Sequence, residues 1–221
     1  MQSTKTYSTQ LRALLSPAEH RVFRKLSTPQ KVQLYLDAVP INFELSGETL
    51  YSPRQLVREN KAHCIEAAMF AAASLSYHGY PPLLMDFQTT PNDEDHVIAI
   101  FKVGKYWGAI SKTNHATLRW RDPVYTSVRE LAMSYFHEYI LPNGKKTMLA
   151  YSAPFDLRRY IPERWVTAEG KQDFVAEDLD ASRHFPAVRK SQKKQLLNAA
   201  PIERTLLEHP EEWTKGGKRL H

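Results

Sequence analysis

The stretch from His63 to Leu75 constrains this chain more than any other. It reads His63-Cys64-Ile65-Glu66-Ala67-Ala68-Met69-Phe70-Ala71-Ala72-Ala73-Ser74-Leu75, with alanines that favour helix and Gly79 as the expected C-terminal stop. Its richest apolar part, Ala67 to Leu75, is far shorter than the ~20 residues that cross a bilayer, so no membrane partner is expected. The opening residues, Met1 to His20, contain no apolar targeting core and no small-residue cleavage site. A cytoplasmic location is the expectation.

Helical signals also precede this stretch. Residues 1–15 are polar and read as frayed. Ser16-Pro17-Ala18-Glu19 combines an N-cap, a first-turn proline and the capping-box spacing, and Ser27-Thr28-Pro29-Gln30 repeats the device before a helix that Pro40 stops. Ser46 to Asn60 is mostly loop, with a short helix after Pro53. Beyond Gly79 the character changes. Leu83 to Phe87 and His96 to Val103 read as strands, Gly104-Lys105 as a hairpin turn, and Tyr106 to Ser111 as the antiparallel return. Asp122-Pro123 is a chain break, and Val128 to Tyr139 a helix burying Leu131, Met133, Phe136 and Tyr139. Thr147 to Tyr151 is a short strand, and Pro201 to Glu208 a last helix before a disordered finish. Helices first and antiparallel strands afterwards predict an α+β fold, not βαβ units. The 221 residues suit one domain, or one with an appendage.

The net charge of +6 raises the question of nucleic acid. Basic residues cluster in Arg189-Lys190-Ser191-Gln192-Lys193-Lys194 and again at Lys215, Lys218 and Arg219. Neither a nucleic-acid-binding fold nor interleaved aromatics accompany them, so a solvated face is expected over a nucleic-acid footprint.

Phosphate loops, dinucleotide fingerprints, the serine elbow and the paired-histidine zinc motif are all missing, and no cofactor is expected. A single cysteine excludes an internal disulfide and a multi-cysteine zinc site. His63, His78, His96 and His115 invite a metal reading, but adjacent residues rarely chelate one ion and no carboxylate–histidine spacing supports it, so no metal is expected. Cysteine chemistry needs a thiol, a base that ionises it and a group that orients the base. Cys64 stands at a helix start, where unpaired N–H groups favour a thiolate. His96 opens the best strand.

The order of these parts resembles the transglutaminase-like superfamily, whose core is a variant of the papain-like cysteine protease fold. The resemblance covers about Leu56 to Tyr125. It is carried by Cys64-Ile65-Glu66-Ala67-Ala68, His78-Gly79-Tyr80-Pro81-Pro82, Asp95-His96-Val97 and Tyr106-Trp107-Gly108-Ala109-Ile110-Ser111. It implies a core at residues 46–151, an N-terminal helical segment at 1–45 packed on it, and a C-terminal extension at 152–221 whose last residues are disordered. It further implies Cys64 as nucleophile, His96 as general base and then acid, and acyl transfer or amide hydrolysis of a protein or peptide substrate through a thioester.

The third member departs from the family, which usually has an aspartate where Ser111 stands. Asn114 lies three residues further on. With a two-residue hairpin loop His96 faces Thr113, which puts Ser111 on the histidine's face and Asn114 on the other. A three-residue loop with a bulge brings Asn114 directly opposite. Asn114 is preferred because its amide oxygen can accept the Nδ1 proton, giving the set Cys64, His96 and Asn114; Ser111 is the alternative and Asp122 a remote third. An oxyanion donor would come from the Cys64 N–H with Gln55 or Asn60. Asp93, Glu94 and Asp95 would steer a cationic substrate, and Tyr106 and Trp107 would line an acyl pocket. The missing aspartate also motivates a second reading, a binding module that keeps the fold without the chemistry.

Overall fold

The computed structural model describes residues 2–45 and 47–207. Helices α1 (Thr4–Leu14), α2 (Pro17–Lys25), α3 (Pro29–Ala38) and α4 (Pro53–Glu59) precede the longer α5 (Cys64–Tyr77). Their starts are set locally. Ser3, Ser16, Thr28 and Ser52 each accept the N–H three residues on, and proline occupies the first turn of α2, α3 and α4. In α2 and α4 the side chains of Glu19 and Gln55 accept the cap's own N–H in return.

Residues 4–14 are a capped helix and not the frayed segment expected. Tyr7 and Leu11 are buried, and Tyr7 Oη accepts from Trp165 Nε1 (2.7 Å) while donating to the Leu157 carbonyl (3.2 Å). That anchor lies 158 residues downstream, beyond the reach of any local pattern. Every residue of α5 from Ile65 to Tyr77 is buried. A helix apolar on all sides belongs at the centre of a domain, and α1–α4 and the sheet enclose it.

The strands are β1 (Leu83–Gln88), β2 (His96–Val103), β3 (Tyr106–Ile110), β4 (Arg121–Tyr125), β5 (Ala150–Ser152), β6 (Phe155–Asp156) and β7 (His184–Pro186). They form an open antiparallel sheet in the order β4-β3-β2-β1-β5-β7, with β6 also paired to β1. The fold is α+β. Side chains alternate across the sheet as the pleat demands. Leu84, Val97, Ala99, Phe101 and Ile110 face α5 and its neighbours, whereas Met85, Phe87, Ile98, Ile100 and Ala109 face a second core closed by Leu131, Tyr135, Phe136 and Tyr139.

Asp122-Pro123 is part of β4 and not a break. Proline cannot donate to a ladder, and β4 is the outer edge strand, where no donor is required. Helix α6 (Val128–Met133) ends earlier than expected. The N–H groups of Ser134, Tyr135, Phe136 and Glu138 bond three residues back, so the chain runs on to Tyr139 in tighter turns. Residues after Ser152 share the first core: Trp165, Val175 and Leu179 pack with Tyr7 and Leu11. Arg189 to Lys194 is exposed and includes one short helical turn. The last expected helix is observed as Pro201–Arg204 followed by a 3₁₀ turn, Thr205–Leu207. Glu208, Lys215, Lys218, Arg219 and the expected disorder at the end lie outside the described residues. Among the described residues, no helix is long and apolar enough to cross a membrane.

Candidate active site

Cys64 is the first residue of α5, half-buried, with His63 as the N-cap. N–H groups in the first turn of a helix have no partner inside it, and their partial positive charge favours a thiolate. His96 opens β2 and is buried. Because α5 packs on β2, the first residues of both elements meet. Both His63 and His96 reach the Cys64 sulfur as side-chain hydrogen-bonding partners.

The hairpin decides what stands behind His96. Val103 pairs with Tyr106 and Ala99 with Ile110, so the loop is the two-residue Gly104-Lys105 without a bulge. Ser111 therefore falls on the histidine's face, and its Oγ lies 2.8 Å from His96 Nε2. The same Oγ lies 2.5 Å from the Leu118 carbonyl oxygen. A carbonyl only accepts, so the serine proton points there, and toward His96 the hydroxyl oxygen accepts. The imidazole proton is thereby held on Nε2, leaving Nδ1 as the basic nitrogen. The nitrogens are exchanged relative to the expectation from sequence. Asn114 lines the same cavity, but among the described residues the side chain bonded to His96 Nε2 is Ser111. Asp122 is out on β4, accepting from Trp120 Nε1 (2.9 Å).

The N-terminal helices hold this arrangement in place. Ser111 N donates to Gln33 Oε1 (3.0 Å), and Gln33 Nε2 donates back to the Ser111 carbonyl (2.8 Å). Next to it, buried Lys112 donates through Nζ to the Leu36 carbonyl (3.0 Å) and the Val39 carbonyl (2.5 Å) at the end of α3.

Behind His63 stands Glu66, wholly buried. His63 Nε2 is 3.4 Å from Glu66 Oε1 and 3.4 Å from Glu44 Oε1. Burial opposes a charged His63. The hydrogen bond to Cys64 and the negative charges of Cys64, Glu66 and Glu44 outweigh it and raise the imidazole to about 9. Burial likewise opposes a charged Cys64, but the hydrogen bonds and positive charges of His63 and His96 take the thiol well below its ordinary value. Sequence reasoning met His63 only as a metal ligand. The available signal was Glu66 at the capping-box spacing, which ties a carboxylate to the residue before the cysteine.

Glu44, His63 and Glu66 approach within 4.8 Å of one another and have the composition of a metal site. They do not fit a resident cation. Glu66 Oε1 accepts from Thr49 Oγ1, Leu50 N and Tyr51 N, and Oε2 from Asn42 Nδ2 and His63 N. Glu44 Oε1 accepts from Thr49 N, while the single Thr49 hydroxyl proton goes to the nearer Glu66 Oε1. The Glu66 lone pairs are aimed at N–H and O–H donors and not at an ion, and His63 Nε2, 3.4 Å from both carboxylates, holds a proton there that supplies the compensating charge. His78 is apart from the site, with Nε2 2.8 Å from the Phe23 carbonyl.

Cys64 and His96 line a cavity of about 320 Å³. Asp93, Glu94 and Asp95 are on its rim. Asp93 accepts from Glu94 N and Thr147 Oγ1, and Asp95 from Thr89 N and Oγ1, while Glu94 is exposed. His115, also in the lining, is lowered by burial, against the pull of Asp93 and with the push of His96 and Arg119. Gln55 and Asn60 lie outside this lining: Gln55 caps α4 and donates to the Glu169 carbonyl (3.2 Å), and Asn60 ends α4 in a left-handed conformation. Tyr106 and Trp107 are outside it too, beneath the ammonium groups of Lys105 and Lys102.

The arrangement can ionise a thiol and move a proton between its sulfur and an incoming or leaving group. No family model matches the chain, and no curated protein matches it.

Proposed function

We propose that the protein is a cysteine-dependent acyl-transfer enzyme of transglutaminase-like type, working on an amide or peptide bond through a thioester on Cys64. The observation that carries the proposal is the Cys64 sulfur in reach of two histidines, one of which is oriented by Ser111. The Cys64 thiol proton passes to His96 Nδ1, the resulting thiolate adds to the carbonyl carbon and the π electrons move onto oxygen. Collapse re-forms the carbonyl, breaks the C–N bond, and His96 delivers the proton the departing amine requires. Water or a second amine then attacks the thioester, His96 takes its proton, and the sulfur leaves as thiolate. A helix-start cysteine, a hairpin histidine and a return-strand partner on an antiparallel sheet all support the reading.

The missing aspartate has a physical answer. A carboxylate behind the histidine stabilises an imidazolium; here a fixed positive charge reaches the sulfur from His63, backed by Glu66 and Glu44. The test uses 4-nitrophenyl acetate as an acyl donor. The wild type is expected to release a stoichiometric burst of nitrophenolate and to carry an acetyl group on Cys64 by mass spectrometry, both abolished in Cys64→Ala. A wild-type protein that stays unacylated under excess ester would be a binding module and not this enzyme.

A further inference from the structure

We infer that Tyr139 is the oxyanion donor of this site, its phenolic O–H bonding the tetrahedral oxygen that forms when Cys64 adds to a carbonyl. The inference rests on the acyl-transfer reading above. Buried tyrosine hydroxyls almost always find a partner. Tyr139 is only 2% exposed, yet its Oη has no hydrogen-bond partner among the described residues. It lines the same cavity as Cys64 and His96. A buried donor that lines the cavity and has no partner among the described residues is the preorganised element that transition-state stabilisation requires.

Three further observations point the same way. The Cys64 sulfur itself is outside hydrogen-bond reach of Oη, so the O–H is not spent on the resting thiolate. The oxygen of a carbonyl attached to that sulfur stands off from it and can meet a donor that the sulfur cannot. The phenol also stays protonated. Burial raises it well above the ordinary tyrosine value, and the negative charge of Cys64 adds to this ahead of Asp86 and Asp93. Finally the ring is fixed, tilted against Phe87 with centroids 5.8 Å apart, while the Tyr139 carbonyl accepts from Thr147 N (3.1 Å). Gln55 and Asn60, the amides expected from sequence as oxyanion donors, are outside the cavity, whereas this hydroxyl lines it and can share the oxygen with the Cys64 N–H.

Two reactions of one sulfur separate this role from a structural one. Acylation by 4-nitrophenyl acetate passes through a tetrahedral oxyanion, whereas alkylation by iodoacetamide displaces iodide at a saturated carbon and forms none. In Tyr139→Phe the acylation rate constant is expected to fall by ~10- to 100-fold, at or below the range for oxyanion donors. Alkylation is expected to be unchanged, and the melting temperature no lower, since the substitution deletes an unsatisfied hydroxyl. Unchanged acylation would overturn the inference, and so would equal losses in both reactions, which would make Tyr139 a packing residue. A wild type that is alkylated but never acylated would overturn the acyl-transfer reading, and the donor role with it.

Discussion

Replacing Glu66 with alanine is expected to cost about 3–5 kcal/mol of stability, the range for removing one partner of a buried ionic network. Glu66 is wholly inaccessible and stands in the first turn of α5, at the positive end of the helix. Its two oxygens accept from Thr49 Oγ1 (2.5 Å), Leu50 N (3.1 Å), Tyr51 N (2.8 Å), Asn42 Nδ2 (3.2 Å) and His63 N (3.0 Å). Alanine strands Leu50 N, Tyr51 N and His63 N, while Asn42 Nδ2 keeps Thr49 Oγ1 and that hydroxyl can turn to Glu44 Oε1; each buried donor left without an acceptor carries its own desolvation cost of ~1–3 kcal/mol. Some will rotate toward water, which keeps the sum below the number of lost bonds. Glu66→Gln keeps one acceptor but turns an NH₂ group toward existing donors, so it too destabilises. Urea unfolding measures both: the midpoint should fall sharply with the slope unchanged. A shift under about 1 kcal/mol would mean that the network is not a structural keystone.

Replacing His96 with alanine is expected to lower kcat/KM for amide cleavage by ~10²–10⁴-fold, the usual contribution of a positioned general acid–base. The variant keeps His63 hydrogen bonded to Cys64, so its sulfur should still alkylate faster than a free thiol at neutral pH. Loss of turnover with a retained thiolate separates proton transfer from thiol activation. Neighbouring substitutions refine the assignment. Ser111→Ala removes the acceptor that keeps the proton on Nε2 and is expected to lower turnover, whereas Asn114→Ala, with no bond to His96, is expected to change it little. The reverse order of effects would return the orienting role to Asn114.

The parts of this site that sequence reasoning reached are those set by short-range rules. Alanines and Gly79 mark α5, and the Gly104-Lys105 turn leaves the β2–β3 hairpin one register without a bulge, from which Ser111 follows as the residue beside His96. Preference for Asn114 came from its better acceptor chemistry. What overrides that preference is non-local. The Leu118 carbonyl takes the serine proton, and Gln33, 78 residues away in sequence, clamps the Ser111 main chain. The helical character of residues 4–14 was hidden for the same reason, since Tyr7 is secured by Trp165. Tyr139 was legible as a buried aromatic, but an unpaired hydroxyl is visible only once every potential partner has a position. His63 is a different case. Its neighbours in sequence held the clue, yet a histidine beside a cysteine reads first as a metal pair, and only the saturated hydrogen bonding of Glu66 removes that reading.

The proposed chemistry requires Cys64 to be a thiolate where ordinary cysteines are not, and the pH dependence of its alkylation reads this out. Its value in the folded protein is lowered, so the thiolate present at high pH persists as pH falls, until the pH passes that lowered value. Above about 9 His63 gives up its proton, but the sulfur is anionic there in any case. The iodoacetamide rate constant at pH 6 is therefore expected to be far above that of a thiol of pKa ~8.5, which is only roughly 0.3% ionised there. The plateau should lie below that of a free thiolate, because nucleophilicity falls with basicity. A rate that instead drops about tenfold per pH unit below pH ~8.5 would show Cys64 to be an ordinary thiol and contradict the account.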